Sequence, residues 1–299
     1  FVAHFFMSAW FTFSLTFTIP GSFELFHPFS QYVMSIFLIL FGCNFSLYYL
    51  LLIGKIKDVL RSEEVRAYFA IIAAAVGFVF ISLVGRFEAF PQVYTTEEAF
   101  RHSLFQVASL MTTAGYTTTD YHVWPQLATT TLVVVMFIGA MAGSTAGGIK
   151  VSRIVIAMKG AYINVRKLIN PRYVPHTKFE GKTLESKTIN DVFAFITLFF
   201  FIFLAALFLL SFDPINGQTI TIISDAGTYD VKHGFFSNFS AVLTCISNVG
   251  PAFEAVGPYS SFAGYNNFSM IVLTFTMLLG HLEILPVLIL FSRRTWRKA

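Results

Sequence analysis

Residues 103–116 read SLFQVASLMTTAGY, about a dozen mostly apolar residues that end in a glycine. A helix needs roughly 20 apolar residues to cross the hydrocarbon layer of a membrane, so this stretch is too short to cross it. Its length and its glycine are typical of a re-entrant segment, which enters the membrane as a short helix and turns back. The spacing of Thr95 and Glu98 predicts a capping box at the start of that helix.

A second stretch of the same form occupies residues 235–251 and ends in SNVGP. When the two terminal glycines are aligned, residues 113–115 match residues 248–250. In each copy another glycine follows at a similar spacing within the next apolar stretch, Gly143 in the first and Gly280 in the second. The matched spacing predicts an internal repeat.

The composition of the chain predicts a multi-pass membrane protein. Of its 299 residues, 56% are hydrophobic and only 12% are charged, and the mean hydropathy is +0.69. An average soluble domain is about 25% charged, which excludes most soluble enzymes and nucleic-acid-binding proteins. The candidate membrane spans are 32–54, 68–85, 127–149, 192–212 and 268–291, and residues 2–19 are a further apolar stretch that ends in a turn. The phenylalanine-rich span 192–212 is expected to face lipid.

The basic residues divide the connections between these spans into two faces. All but three of the 20 Lys and Arg residues lie in segments 55–66, 150–187 and 293–298. The positive-inside rule places these segments, and with them the C-terminus, in the cytoplasm. The outer connections are acidic and contain both predicted re-entrant segments. This distribution explains the net charge of +4 without a nucleic-acid partner.

The repeating unit is a membrane helix, a short re-entrant helix and a second membrane helix. Two complete copies are predicted at 67–163 and 189–295, and a partial copy at 1–54 with Gly42 in the matching span. A half-helix that stops within the membrane directs its partly negative C-terminus at a wet cavity. A short extended segment containing glycine presents carbonyl oxygens that replace an ion's hydration shell. The repeat therefore predicts an ion pathway, and the spans carry no residue constellation typical of an intramembrane enzyme.

Residues 143–150 read GSTAGGIK and lie at the inner end of a span. A phosphate-binding loop requires Gly-Lys-Ser/Thr, whereas Gly148 is followed by isoleucine. The position favours a flexible interruption of a pore-lining helix, and a glycine-rich helix contact is the alternative. His281 and Glu283 interrupt an apolar span and are expected to line the pore or to bond a partner, while Lys150 could also be an interfacial anchor.

With these motifs the chain resembles the Trk/Ktr/HKT superfamily of potassium transporters, and is most similar to the Trk-type membrane subunit. The resemblance is carried by TTAGY at 112–116, GSTAGGIKVSR at 143–153, SNVGP at 247–251, GHLE at 280–283 and GCNFSLYY at 42–49. It implies an all-α membrane fold with helix, re-entrant pore loop and helix units around a pseudo-fourfold ion pore. The family has four such units, so the first and the start of the second are expected to be missing here.

The resemblance implies K+ uptake across the cell (inner) membrane through a channel-like pore. It assigns the selectivity filter, which would bind K+, to Thr113, Ala114, Gly115, Asn248, Val249 and Gly250. It assigns the gate to Gly143, Ser144, Thr145, Ala146, Gly147, Gly148, Lys150 and His281. It also implies a homodimer docked on a cytosolic nucleotide-binding regulatory ring, with no cofactor in this chain.

Two features depart from the family pattern. His281 stands where the family has arginine, and histidine is only partly charged at neutral pH. No glycine lies within Thr12–Ser14, where the filter of the partial copy is expected. The missing glycine and the missing first unit favour the alternative of a non-conducting fragment or scaffold subunit, and a Na+/K+ symporter with discontinuous helices is a further alternative. The choice between K+ and Na+, any coupling ion and the nucleotide sensed by the partner stay open.

Overall fold

The structure is a computed structural model that describes residues 23–85, 94–170, 178–224 and 227–281. The helices are α1 (Pro28–Phe41), α2 (Phe45–Leu52), α3 (Ile56–Arg61), α4 (Glu63–Gly85), α5 (Thr96–Met111), α6 (Gln126–Ile138), α7 (Val151–Ile169), α8 (Ser186–Leu210), α9 (Phe235–Ser247) and α10 (Asn267–His281). The strands are β1 (Lys178–Phe179), β2 (Lys182–Thr183), β3 (Thr219–Ser224) and β4 (Gly227–Lys232). Short 3-10 turns lie at Tyr121–Val123, Glu254–Val256 and Phe262–Gly264.

Helices α4 and α8, with 23 and 25 residues, are each long and apolar enough to cross a membrane. On α8, the side chains of Phe201 and Phe208 are 69% and 64% exposed, as expected for residues that face lipid. The expectation that the whole phenylalanine-rich span faces lipid is wrong, because Phe195, Phe199 and Phe203 are buried. These buried rings pack α8 against the rest of the helices.

The expected continuous span 32–54 is instead broken into α1 and α2, which meet at an angle of 93°. Asn44 starts α2, because its side chain accepts a hydrogen bond from Ser46 N at 2.8 Å and so caps a new helix. A Cβ at Gly42 would lie 2.1 Å from the Tyr68 hydroxyl, so the break is packed tightly against α4. Hydropathy alone does not reveal such a break, since the apolar run continues through it.

The expected span 127–149 is also interrupted, because α6 ends at Ile138 and α7 begins at Val151. Residues 139–150 between them form the segment that we call the intramembrane loop. The loop begins at Gly139, whose φ of 69° ends the helix. It returns to the end of α6, where Lys150 N donates to Ile138 O at 2.9 Å. The loop is thus closed at its base, and it begins four residues earlier than the Gly143 predicted from sequence.

Helices α5 and α9 are the short helices that the sequence predicts. The capping box of α5 is confirmed, because the Thr95 hydroxyl accepts from Glu98 N while the Glu98 carboxylate accepts from Thr95 N at 2.9 Å. Helix α5 packs against α1, α4 and α6, and α9 packs against α6, α8 and α10. Nearly every side chain beyond the first turn of α5 is buried. Neighbouring helices therefore enclose both short helices.

The core joins the segments that follow the two short helices. Tyr121 is fully buried and donates from its hydroxyl to Ala252 O at 3.0 Å. Its ring meets the Phe253 ring edge to face, with the centroids 5.0 Å apart. Because these residues follow α5 and α9 respectively, the segments beyond the two short helices are fixed to each other.

Two antiparallel hairpins, β1–β2 and β3–β4, add strand structure to a fold expected to be purely helical. Strand β3 reads TITIIS and pairs with β4 in a register that sets Ile222 opposite Tyr229. A run rich in β-branched residues is a typical strand signal, and the all-α expectation overlooked it.

Candidate functional site

The helices α5 and α9 are followed by segments of the same backbone geometry. Thr113 and Asn248 begin the two predicted filter segments, and both have a φ of 56°. Gly115 and Gly250 end these segments with φ values of 75° and 120°. Positive φ is uncommon for residues other than glycine, so its recurrence at matched positions supports the internal repeat.

The hydrogen bonds that hold the two segments are matched as well. Ala114 N donates to Ser109 O at 2.9 Å, and Val249 N donates to Thr244 O at 3.0 Å. The hydroxyls of Ser109 and Thr244 each donate to the carbonyl of the residue after the filter glycine, at 2.7 Å and 3.3 Å. Each short helix thus holds the segment that follows it in place.

The two filter segments touch each other. A Cβ built on Gly115 would lie 2.3 Å from the carbonyl oxygen of Val249, which leaves no room for a side chain. A Cβ on Gly250 would lie 3.6 Å from the Cα of Gly115. Backbone atoms of both segments therefore lie against each other, with no side chain between them at these two glycines.

Two cavities meet at these segments. All six predicted filter residues line the outer cavity, which has a volume of about 630 Å³. The inner cavity has a volume of about 360 Å³ and is lined by every predicted gate residue except Gly143. Thr113 and Asn248 line both cavities and separate them. The structure thus brings the two predicted groups of residues together on one path.

The intramembrane loop lies directly beneath the filter segments. Gly147 N donates to the Thr113 hydroxyl oxygen at 3.0 Å. A Cβ on Gly147 would lie 2.2 Å from the carbonyl oxygen of Ser247, the last residue of α9. Gly143 lies away from the cavity, where its carbonyl accepts from Phe45 N at 3.3 Å. The loop is therefore in contact with both copies of the repeat and with the start of α2.

Asn248 links the second filter segment to α10. With its amide oriented to suit its neighbours, the side chain donates to Met277 O at 3.2 Å and accepts from His281 N at 3.0 Å. A Cβ on Gly280 would lie 2.1 Å from Ile246 O, so only glycine fits between α10 and α9. This close approach sets His281 at the wall of the inner cavity.

The inner cavity contains several basic side chains. Lys150, Arg153 and His281 all line it. The guanidinium carbon of Arg153 lies 4.0 Å from the centre of the Phe195 ring, a cation–π contact. The C-terminal ends of α5 and α9, which carry partial negative charge, lie above them. A cation that leaves the filter inward would meet positive charge in this cavity.

Comparison with known proteins decides the family. The family model described as "TrkH: Cation transport protein" matches residues 11–298. The chain belongs to the TrkH family. This confirms the resemblance to the Trk-type membrane subunit.

Relatives within the TrkH family match most of the chain. It is 33% identical over 269 residues to the Trk system potassium uptake protein TrkG of Escherichia coli K12, which covers 89% of this chain and 50% of that protein. It is 31% identical over 268 residues to the Trk system potassium uptake protein TrkH of Salmonella typhimurium, with the same two shares. The chain therefore spans about half the length of the curated relatives it matches.

A solved structure of the TrkH family has the same fold. The crystal structure of the potassium transporter TrkH from Vibrio parahaemolyticus superposes with a TM-score of 0.76 at 28% identity. The match covers 91% of this chain and 54% of that one. The predicted helical membrane fold with re-entrant segments is thereby confirmed.

Sequence reasoning missed several residues of this candidate site. The inner cavity is also lined by Arg153, Phe195, Phe199 and Ile246. Glu64 on α4 accepts a hydrogen bond from the intramembrane loop. Arg153 lies within the quoted GSTAGGIKVSR motif, so the motif itself contained that signal. Glu64 follows another glutamate at the start of an apolar run, which indicates only the start of a helix. The expectations for Thr12–Ser14 and Glu283 lie outside the described residues.

Proposed function

We propose that the chain is the pore-forming part of a Trk-type potassium uptake subunit. K+ passes between residues 113–115 and 248–250, which act as parts of the selectivity filter, and the intramembrane loop obstructs the path below them. The observation that carries this proposal is the matched geometry of the two segments, in contact with each other above a cavity that the loop lines.

The filter works in this proposal by exchanging water for backbone oxygens. Short segments with glycine at their ends bring carbonyl groups close to the axis, where they replace the hydration shell of K+. The C-termini of α5 and α9 add partial negative charge at the same level. Fixed dipoles of this kind attract cations strongly in a low-dielectric surrounding. K+ is the transported ion, and no covalent chemistry or cofactor is involved.

The intramembrane loop is the proposed gate, with residues 143–148, Lys150 and His281 as its parts. Its contact with the Thr113 hydroxyl sets it within reach of the lower end of the filter. The positive charge of Lys150 and Arg153 adds an electrostatic barrier to the steric one. Ion flow then requires the loop to leave this position.

The remaining parts of the assembly are proposals from the family likeness and the charge pattern. We propose a homodimer in the cell (inner) membrane, with the C-terminus in the cytoplasm and a cytosolic nucleotide-binding ring as partner. The exposed basic residues Lys55 and Lys57, before α4, belong to the inner face on which such a ring would dock. The units 1–54, 67–163 and 189–295 are the proposed repeats around the pore.

The break between α1 and α2 favours one alternative, a Na+/K+ symporter. Discontinuous helices within spans are typical of ion-coupled transporters, and the 93° bend is such a discontinuity. A symporter predicts that K+ uptake depends on external Na+, whereas a channel-like pore predicts uptake without it.

Potassium uptake in a bacterial strain that lacks its own K+ uptake systems tests the proposal. The protein is expressed from its complete gene, and net K+ uptake by K+-depleted cells is measured with and without external Na+. We expect uptake above the empty-vector level in both conditions. Uptake only with Na+ would support the symporter, and no uptake by protein present in the membrane would support a non-conducting scaffold.

A further inference from the structure

Glu64 is a buried carboxylate in the first turn of α4, only 7% exposed. Its Oε1 accepts a hydrogen bond from Ala142 N at 2.7 Å. The same carboxylate also accepts from the hydroxyl and the backbone N–H of Ser152, the second residue of α7. Ala142 lies near the start of the intramembrane loop and Ser152 lies just beyond its end, so one side chain holds both ends of the loop.

The negative charge of the Glu64 carboxylate suits the N-terminus of α7, where it meets Ser152. The first N–H groups of a helix have no partner within the helix, and they carry partial positive charge. Lys150 precedes α7, and a lysine side chain has no acceptor with which to cap it. The Glu64 carboxylate supplies the missing acceptor and the negative charge from a different helix. Burying a carboxylate costs free energy unless the carboxylate is hydrogen-bonded. The hydrogen bonds from the loop therefore offset the cost of burying Glu64.

A second carboxylate ties the same turn of α4 to the cytoplasmic side. Glu180 lies in the turn of the β1–β2 hairpin, and its Oε1 accepts from the Ser62 hydroxyl at 2.8 Å and from Glu64 N at 3.0 Å. The hairpin lies within the basic inner segment 150–187. A displacement of this hairpin would therefore move Glu64 and, through it, the loop.

We propose that Glu64 is the positioning residue that holds the intramembrane loop closed beneath the filter. The proposal rests on the proposed function, because it takes the loop as the gate. Without the Glu64 carboxylate, Ala142 N and the start of α7 lose their acceptor. The contact of Gly147 with Thr113 then has to hold the loop under the filter with less support. We expect the loop to leave the closed position more often, with ion flow in the absence of any activating partner.

The test compares Glu64→Ala and Glu64→Gln with a matched control, Glu63→Gln. Glu63 is the neighbouring carboxylate in the same turn, but it pairs with Lys159 instead of the loop. One readout is basal K+ flux. The other is the rate at which methyl methanethiosulfonate modifies the cysteine introduced by Ser144→Cys, with Cys43 and Cys245 replaced by alanine. This second readout reports the position of the loop and does not depend on which ion passes.

We expect Glu64→Ala to raise both the basal flux and the modification rate by about tenfold, as loss of a buried hydrogen bond to a charged group would produce. Glu64→Gln, which keeps the size of the side chain, raises both by less, and Glu63→Gln raises neither. If Glu64→Ala does not reach the membrane, Glu64→Gln decides. The proposal would be overturned if both Glu64 variants kept the basal flux and the modification rate of the wild type. It would also be overturned if Glu63→Gln raised these two quantities as much as the Glu64 variants do. A wild-type protein that moves no K+ would refute the proposed function, while the modification rates would still judge the role of Glu64.

Discussion

Single residues of the proposed filter are constrained by contact as well as by backbone conformation. Gly115 has a φ of 75°, and its Cβ would lie 2.3 Å from Val249 O. Gly54 has a similar φ of 80°, yet no atom of the described chain lies within 4 Å of its would-be Cβ. Comparing substitutions at the two glycines therefore separates the strain of a left-handed backbone from the effect of a collision with Val249 O.

Gly115→Ala is therefore expected to lower K+ uptake by about tenfold or more, because the methyl group displaces the Val249 carbonyl from the ion path. Gly54→Ala carries the same backbone strain and is expected to keep most of the uptake. Both variants are measured in the K+-uptake-deficient strain, with the amount of protein in the membrane as the reference. Wild-type uptake by Gly115→Ala would remove this glycine from the filter.

The charge at position 281 sets the second prediction at this scale. His281 lines the inner cavity with Lys150 and Arg153. His281→Arg adds a permanent positive charge there, and in a low-dielectric cavity it repels K+ several-fold more strongly than in water. We expect a clear fall in the maximal rate of uptake. Thr188→Arg, on an exposed position of α8, is the control, and equal rates in both variants would show that residue 281 does not face the ions.

The residues that sequence predicted and those it missed differ in one physical respect. Filter and loop residues belong to motifs whose glycines and spacing are visible along the chain. Glu64 and Ala142 are 78 residues apart, and only the folded chain shows that they meet. Tertiary contacts of polar side chains have no local signature, so the contact of Glu64 with the loop could not be predicted.

Among the elements, the intramembrane loop is held by close packing. Gly147 is not left-handed, but its Cβ would lie 2.2 Å from Ser247 O. Gly147→Ala is expected to push the loop away from α9 and to raise basal K+ flux. Gly77→Ala in α4, where the described part of the structure offers no atom within 4 Å, is the matched control. A basal flux that Gly147→Ala leaves unchanged would mean that the loop does not obstruct the path.

The start of α5 gives a prediction about stability. Hydrogen bonds from the backbone N–H and the hydroxyl of Thr95 lower the pKa of Glu98. A carboxyl with a lowered folded pKa stabilises the fold above its unfolded pKa, and this contribution is lost as the pH falls through the folded value. Glu98→Gln should therefore lower the thermal unfolding midpoint of the purified protein at pH 7. The difference from wild type should vanish in acid, and a difference that persists there would contradict the assigned role.

Helix lengths show where hydropathy stops being informative. It predicted the ends of α4 and α8 to within six residues, because uninterrupted apolar runs are what a membrane span requires. It missed the breaks at residues 42–44 and the start of the break at 139–150. Both breaks depend on local backbone geometry and caps, which an apolar average does not detect.

At the scale of the whole molecule, the two proposed copies of the repeat meet at residues 113–115 and 248–250 and are joined again by Tyr121 and Ala252. The matched glycines predicted the repeat, the family resemblance implied that its copies surround one pore, and the contact of Tyr121 with Ala252 was not predicted. The sequence did not predict the hairpins β1–β2 and β3–β4, one of which connects the inner face to Glu64. The two hairpins, on the outer and inner sides of the proposed pore, thus do not follow the repeat that is found at its centre.

The most direct test of the central claim is the flux of radioactive rubidium into liposomes that contain the purified protein. If residues 113–115 and 248–250 form part of a K+ path, rubidium enters above the level of empty liposomes and excess K+ competes with it. Gly115→Ala abolishes this entry and Gly54→Ala does not. Entry no faster than into empty liposomes, or entry that Gly115→Ala leaves unchanged, would contradict the claim.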